Sequence, residues 1–285
     1  MKYDESEIIK YIQIAQKKHK EGKLNQANKI YKKLINEKIY TYDLLISYGI
    51  FNRDIKNLKI AKNLFIFAIK NYPSIIQTYI LLAVIYRNEN KFNDGLKTLY
   101  AAKKIEKFNS DIDYNLSIIY KTIKSFKEAI IFIDLAIKQR PKNQIYKILK
   151  ADILTESFNN EAAKELLINL KIQKNSFLYF QKEVLISKIF INQKEFTKAE
   201  NVLLKLKKLF SNERVLYLNL SDIYFKKNEL EKGILILKEG INKFPDFIPF
   251  KFNLAIMYRN LGLLESSIET HIGILLKNKF KNIKW

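Results

Sequence analysis

Asn115, Asn219 and Asn253 stand in three short strings of one pattern, YNLS, LNLS and FNLA. A side-chain amide donates and accepts at once, as the backbone of an extended peptide does, so amides at a fixed spacing can hold a peptide without reading its side chains. Ser47, Leu81, Leu149 and Leu185 take the same place in the intervening strings, which leaves Asn219 and Asn253 as adjacent rungs. A second series is Arg53, Arg87, Lys121 and Arg259. It holds three of the five arginines, and a guanidinium grips a carboxylate or phosphate with two parallel bonds. Each series also has a structural reading: asparagine as a neutral polar residue of an Asn-rich chain, and cations as caps of helix C-termini.

Catalytic chemistry finds no comparable pattern. There is no Gly-x-Ser-x-Gly elbow, phosphate loop, dinucleotide glycine run or paired-histidine motif. His19 and His271 lie at opposite ends of the chain, so they are not expected to share a metal, and His271 reads as a histidine in an apolar packing position. Carboxylates such as Asp152 and Asp222 are scattered without a second acid or base in a recognisable arrangement. With no cysteine there is no disulfide, thiolate zinc site or cysteine nucleophile. No enzyme activity, cofactor or metal is expected.

The formal net charge of +22 admits an acidic partner, nucleic acid or an anionic membrane surface. The 46 lysines against five arginines, with abundant Ile and Asn, also fit A/T-rich coding and a solvated lysine coat. No specific nucleic-acid site is expected. The amino terminus, MKYDESEIIKYIQ, is acidic where a secretory signal would be basic and then apolar. The uncharged apolar run from Tyr79 to Tyr86 is far short of the ~20 residues of a spanning helix. A soluble, cytoplasmic protein without a transmembrane segment is the expectation.

The elements that must position these residues are read from small side chains. The stretch Ser110–Asn143 places Leu116, Ser117 and Tyr120 at helical spacing, then Phe126, Ala129, Ile133 and Ala136 on one face, and Pro141 closes it: a two-helix hairpin. Steps of 34 residues, with one slip of two, carry Ser117 to Ala15, Gly49, Ala83, Ala151, Ser187, Ser221 and Ala255. The column through Ala129 reads Ala27, Ala61, Gly95, Ala163, Ala199, Gly233 and Ser267. Ala, Gly and Ser make up 34 of 285 residues, so sixteen small residues in sixteen places mark a repeated close approach of two helices.

A 34-residue helix-turn-helix period with leucine-small-x-x-tyrosine, alanine-x-x-x-aromatic and a terminal proline resembles the tetratricopeptide repeat (TPR) family. The resemblance implies an all-α, right-handed α-solenoid of about eight tandem repeats, whose first helices line a concave face. The repeats are expected at 8–41, 42–75, 76–109, 110–143, 144–179, 180–213, 214–247 and 248–281, after a polar lead, 1–7, in which Asp4 or Ser6 caps the first helix. The fifth is the weakest, and its two extra residues predict a longer second helix or a loop. Residues 282–285 read as the start of an incomplete ninth repeat, with Ile268, Ile272 and Leu275 left uncovered. A partner, self-association through that uncapped repeat, or a longer parent protein would each account for this.

On this resemblance the expected function is a noncatalytic scaffold that binds a peptide segment or partner protein on the concave face. The alternative is the N-terminal substrate-recognition arm of a glycosyltransferase or other modifying enzyme. The family's clamp for acidic chaperone tails is not expected, because Ile12, Ile46, Ile80 and Ile148 replace its leading lysine. Tyr114, Val184, Leu218 and Phe252 in that column favour an apolar or amphipathic segment, while the basic series favours an acidic one.

Overall fold

The computed structural model describes residues 3–281, with side chains as far as 275. Within them the chain is all-α, in sixteen helices: α1 Glu5–Lys20, α2 Leu24–Asn36, α3 Tyr42–Asp54, α4 Leu58–Asn71, α5 Ile76–Asn88, α6 Phe92–Ile105, α7 Ser110–Thr122, α8 Phe126–Gln139, α9 Gln144–Glu156, α10 Asn160–Ile168, α11 Phe177–Asn192, α12 Phe196–Leu209, α13 Arg214–Lys226, α14 Leu230–Lys243, α15 Ile248–Asn260 and α16 Leu264–Lys281. They form two compact units, Met1–Tyr146 and Lys147–Trp285, divided within α9. The residues expected to begin a ninth repeat lie outside the described ones.

In both units successive helices pair as hairpins, and the two small-residue columns lie where the partners meet. All sixteen side chains or glycines of those columns are buried. In the hairpin α7–α8, Ser117 donates its Oγ–H to the Ala129 carbonyl at 2.9 Å, and in α15–α16 Ser267 does the same toward Ala255 at 2.9 Å. A hydroxyl thus replaces a methyl at the crossing because the facing backbone carbonyl satisfies it. Gly49 makes the constraint sharper: a Cβ there would lie 2.3 Å from the Phe65 ring.

The turn between paired helices is the same in all eight hairpins. Gly22, Lys56, Asn90, Lys124, Phe158, Lys194, Asn228 and Gly262 have φ between 58° and 77°, and the residue after each sends its N–H back five residues, as Asn57 does to Asn52 at 2.7 Å. This left-handed closure satisfies carbonyls at the end of the first helix and turns the chain into the second.

At two places the structure takes one of two expected alternatives. The hairpin α9–α10 has a shortened second helix of nine residues, not a longer one, and the extra length goes into the irregular segment 169–176. Lys182 reaches back from α11 to hold the Leu170 carbonyl at 2.9 Å. At the amino end Asp4, not Ser6, is the cap: it accepts from the Glu7 backbone at 2.7 Å, and Glu7 returns the bond to Asp4 N–H at 3.1 Å.

Candidate functional site

Asn219 and Asn253 sit at the same place on α13 and α15, half-buried. Among the described residues neither amide has a hydrogen-bond partner. Beside Asn253 a cavity of about 180 Å³ opens between the two helices, lined by Ser221, Asp222, Phe225, Ile256 and Met257 as well. Phe225 and Ile256 stay partly open to solvent at 41% and 38%, so the cavity is a pocket and not core. The Ser221 hydroxyl donates to the Leu218 carbonyl at 2.7 Å, and the Asp222 carboxylate holds Lys226 at 2.7 Å. The polar groups that the lining leaves for a ligand are therefore the Asn253 amide and the rim of Asp222, and the Asn219 amide stands outside the lining on α13. An arrangement with apolar walls and free amides can bury one side chain and bond the backbone that carries it. It offers no nucleophile activated by a base.

The period exposes a signal that the asparagine and arginine strings do not. Phe225 occupies in α13 the place that Arg53, Arg87, Lys121 and Arg259 hold in their helices, so the pocket forms where the basic series gives way to an aromatic residue. Asp222, Ser221, Ile256 and Met257 had no distinguishing spacing of their own.

Asn115 belongs to the other unit and is differently placed. It is buried, and its amide donates to the Asp111 carbonyl one turn back at 2.8 Å. Asn219 and Asn253 thus form a pair, and Asn115 serves its own helix. The basic series also divides. Arg53 spends Nε and one terminal nitrogen on Asp54 at 2.9 and 2.8 Å, with His19 3.7 Å from the same carboxylate. Arg87 is half-buried near Tyr114, and burial holds its guanidinium below the usual range, against the opposing pull of Tyr114. Lys121 is half-buried and Arg259 exposed. All four lie in the last turn of their helices, where a cation favours the helix dipole.

The apolar column is more deeply placed than a groove floor would be: Ile12, Ile80 and Ile148 are buried, Ile46, Tyr114, Val184 and Leu218 half-buried, and Phe252 is exposed. His271 is exposed on α16 rather than packed, its Nδ1 2.9 Å from the Ser267 carbonyl. Its counterparts from Tyr31 to Leu237 are fully buried, and no described element covers α16. Among the described residues no cluster of His, Asp or Glu could hold a metal ion, and no helix is long and apolar enough to cross a membrane.

A family model described as the tetratricopeptide repeat matches residues 114–143. Solved structures agree over much more of the chain. A tetratricopeptide repeat protein from Parabacteroides merdae has a TM-score of 0.66 at 14% identity, covering 80% of this chain and 90% of that one. The pilF protein of Pseudomonas aeruginosa has a TM-score of 0.59 at 13% identity, covering 77% and 97%. A chain of the APC/C hetero-tetramer Cut9-Hcn1 reaches 0.66 at 14%, covering 84% and 47%. The chain is thus similar in fold to tetratricopeptide-repeat structures, with one repeat matched in sequence at residues 114–143. In sequence it is 25% identical over 199 residues to human protein O-mannosyl-transferase TMTC3, a match that takes in 67% of this chain and 21% of that protein. The chain thus spans about a fifth of that relative's length.

Proposed function

We propose that the chain is a noncatalytic, cytoplasmic scaffold whose first-helix groove at α13 and α15 binds an extended segment of a partner protein. The observation that carries this reading is the unpartnered amide of Asn253 in the wall of a mostly apolar pocket of about 180 Å³, with the unpartnered amide of Asn219 one repeat earlier on α13. A peptide lying across the two helices would bond its backbone to Asn219 and Asn253 and seat one aliphatic or aromatic side chain against Phe225, Ile256 and Met257. The exposed Phe252 extends the apolar surface. An apolar or amphipathic segment fits this groove better than an acidic one, because its own charged residue is Asp222. The test is the affinity of a peptide selected from a random displayed library. Asn219→Ala with Asn253→Ala removes two hydrogen bonds of about 0.5–1.5 kcal/mol each, an expected 5- to 150-fold loss. Unchanged affinity in a folded double variant would remove the amides from the proposal.

The second reading is a substrate-recognition arm of a modifying enzyme, favoured by the similarity to an O-mannosyl-transferase over two thirds of this chain. The mass of the native polypeptide in cell extract separates the two. A species near 33.8 kDa supports the free scaffold, and a much larger one carrying these repeats supports the arm.

A further inference from the structure

The outer face of α16 carries Leu264, Ile268, Ile272 and Leu275, spaced i, i+4, i+8 and i+11, which is one helical stripe. These side chains are 59%, 57%, 49% and 67% exposed. One hairpin earlier, Leu230 and Ile234 of α14 stand in the places of Leu264 and Ile268 and are 9% and 8% exposed, because α15 packs beside them. We infer that a second copy of this chain covers the stripe, α16 against α16, in a two-fold antiparallel pair.

Two features of the chain select this occupant. First, the stripe is its own complement when reversed. Antiparallel pairing sets Leu264 against Leu275 of the second copy and Ile268 against Ile272, so one two-fold axis near residue 270 matches all four positions. Self-complementarity of this kind is what an isologous interface requires. Second, the charge of α16 is polarised along its length: Glu265 and Glu269 lie in its first half, and the sequence places Lys277, Lys279 and Lys281 in its second. Antiparallel copies set acidic halves beside basic halves, whereas parallel copies would set like against like.

Head-to-tail stacking is disfavoured by the other end. On α1 the positions that α15 fills with the buried Phe250, Leu254 and Met257 are Lys10, Ile14 and Lys17, all exposed. That face is built for water and makes a poor lid for a leucine and isoleucine stripe. The inference does not depend on the peptide groove, since neither Asn219 nor Asn253 lies on α16.

The test uses the full chain, which contains no cysteine, so single cysteines report geometry directly. Sedimentation velocity at tens of micromolar should show a dimer. Ile268→Glu should weaken it at least tenfold with the helical circular dichroism unchanged, while Ile131→Glu, an exposed apolar position on α8, should leave it intact. Under oxidation Leu264→Cys alone should give little cross-linked dimer, and Leu264→Cys mixed with Leu275→Cys should give much more. A monomer at 100 µM, a dimer indifferent to Ile268→Glu, or ready self-cross-linking of Leu264→Cys would each overturn the inference. The first of these would leave α16 to a different protein.

Discussion

Replacing Gly49 by alanine tests the close helix approach on which the repeat depends. The added Cβ would stand 2.3, 2.8 and 2.9 Å from three atoms of the Phe65 ring, well inside van der Waals contact. Phe65 cannot step aside freely, because it is fully buried and packed with Ala61, Leu82 and Ile85 in one cluster. Overpacking of this kind costs about 1–3 kcal/mol, and the better helix propensity of alanine returns about 1 kcal/mol. The expected net loss is up to about 2 kcal/mol, read as a lower urea midpoint by circular dichroism. Phe65→Leu shortens the offending ring, so in the Gly49→Ala background it should cost less than it does alone, with a coupling of about 1 kcal/mol or more. Gly273→Ala, whose Cβ would meet nothing within 4 Å, should instead be neutral or stabilising. A Gly49→Ala protein as stable as the parent, with no coupling to Phe65, would refute the packing account of the small-residue columns.

Three further outcomes follow from local chemistry. Phe158 has φ 61° and is 75% exposed, so Phe158→Gly should relieve left-handed strain of about 1–2 kcal/mol, less the chain entropy of glycine, and raise the thermal midpoint by a few degrees. Asp113 is buried between Lys103 and Gln139, the latter donating at 2.8 Å. Asp113→Ala strands a cation with little solvent and should cost about 3 kcal/mol in urea denaturation; a loss under 1 kcal/mol would show the pair to be idle. Glu183 is raised in pKa by burial, against the opposing charges of Lys182 and Lys205. Its folded form therefore favours the proton, and the stability present below its unfolded pKa is lost as pH rises through the folded value. Glu183→Gln should gain on the parent between pH 4 and 7, and a constant difference across that range would contradict the shift.

The hairpin period was legible because two backbones can approach only where side chains are small, a demand that leaves a mark at Ser117 and Ala129 and at every step of 34 residues. The left-handed turn was not. Six of its eight positions hold Lys, Asn or Phe, since an exposed turn tolerates strain that glycine would avoid, and composition therefore hides it. The asparagine series showed which residues recur, but not that Asn115 bonds its own helix while Asn219 and Asn253 keep free amides. That difference depends on side-chain rotamers and neighbours. The basic series was partly legible: its shared place at helix ends is real, yet Arg53 is occupied by the adjacent Asp54, a neighbour the column reading ignored. His271 appeared as a packing residue because its column is packed elsewhere, and only the open face of α16 changes its surroundings.

The most direct measurement is the affinity of one selected peptide for the full chain and for its Asn219→Ala, Asn253→Ala and Phe225→Asp variants, with Arg259→Gln as a nearby control. Binding through the α13–α15 groove predicts losses of fivefold or more for the amide pair and for Phe225→Asp, little change for Arg259→Gln, and a weak dependence on salt. Equal affinity for all four, or binding that collapses with modest salt whatever the groove variant, would contradict it.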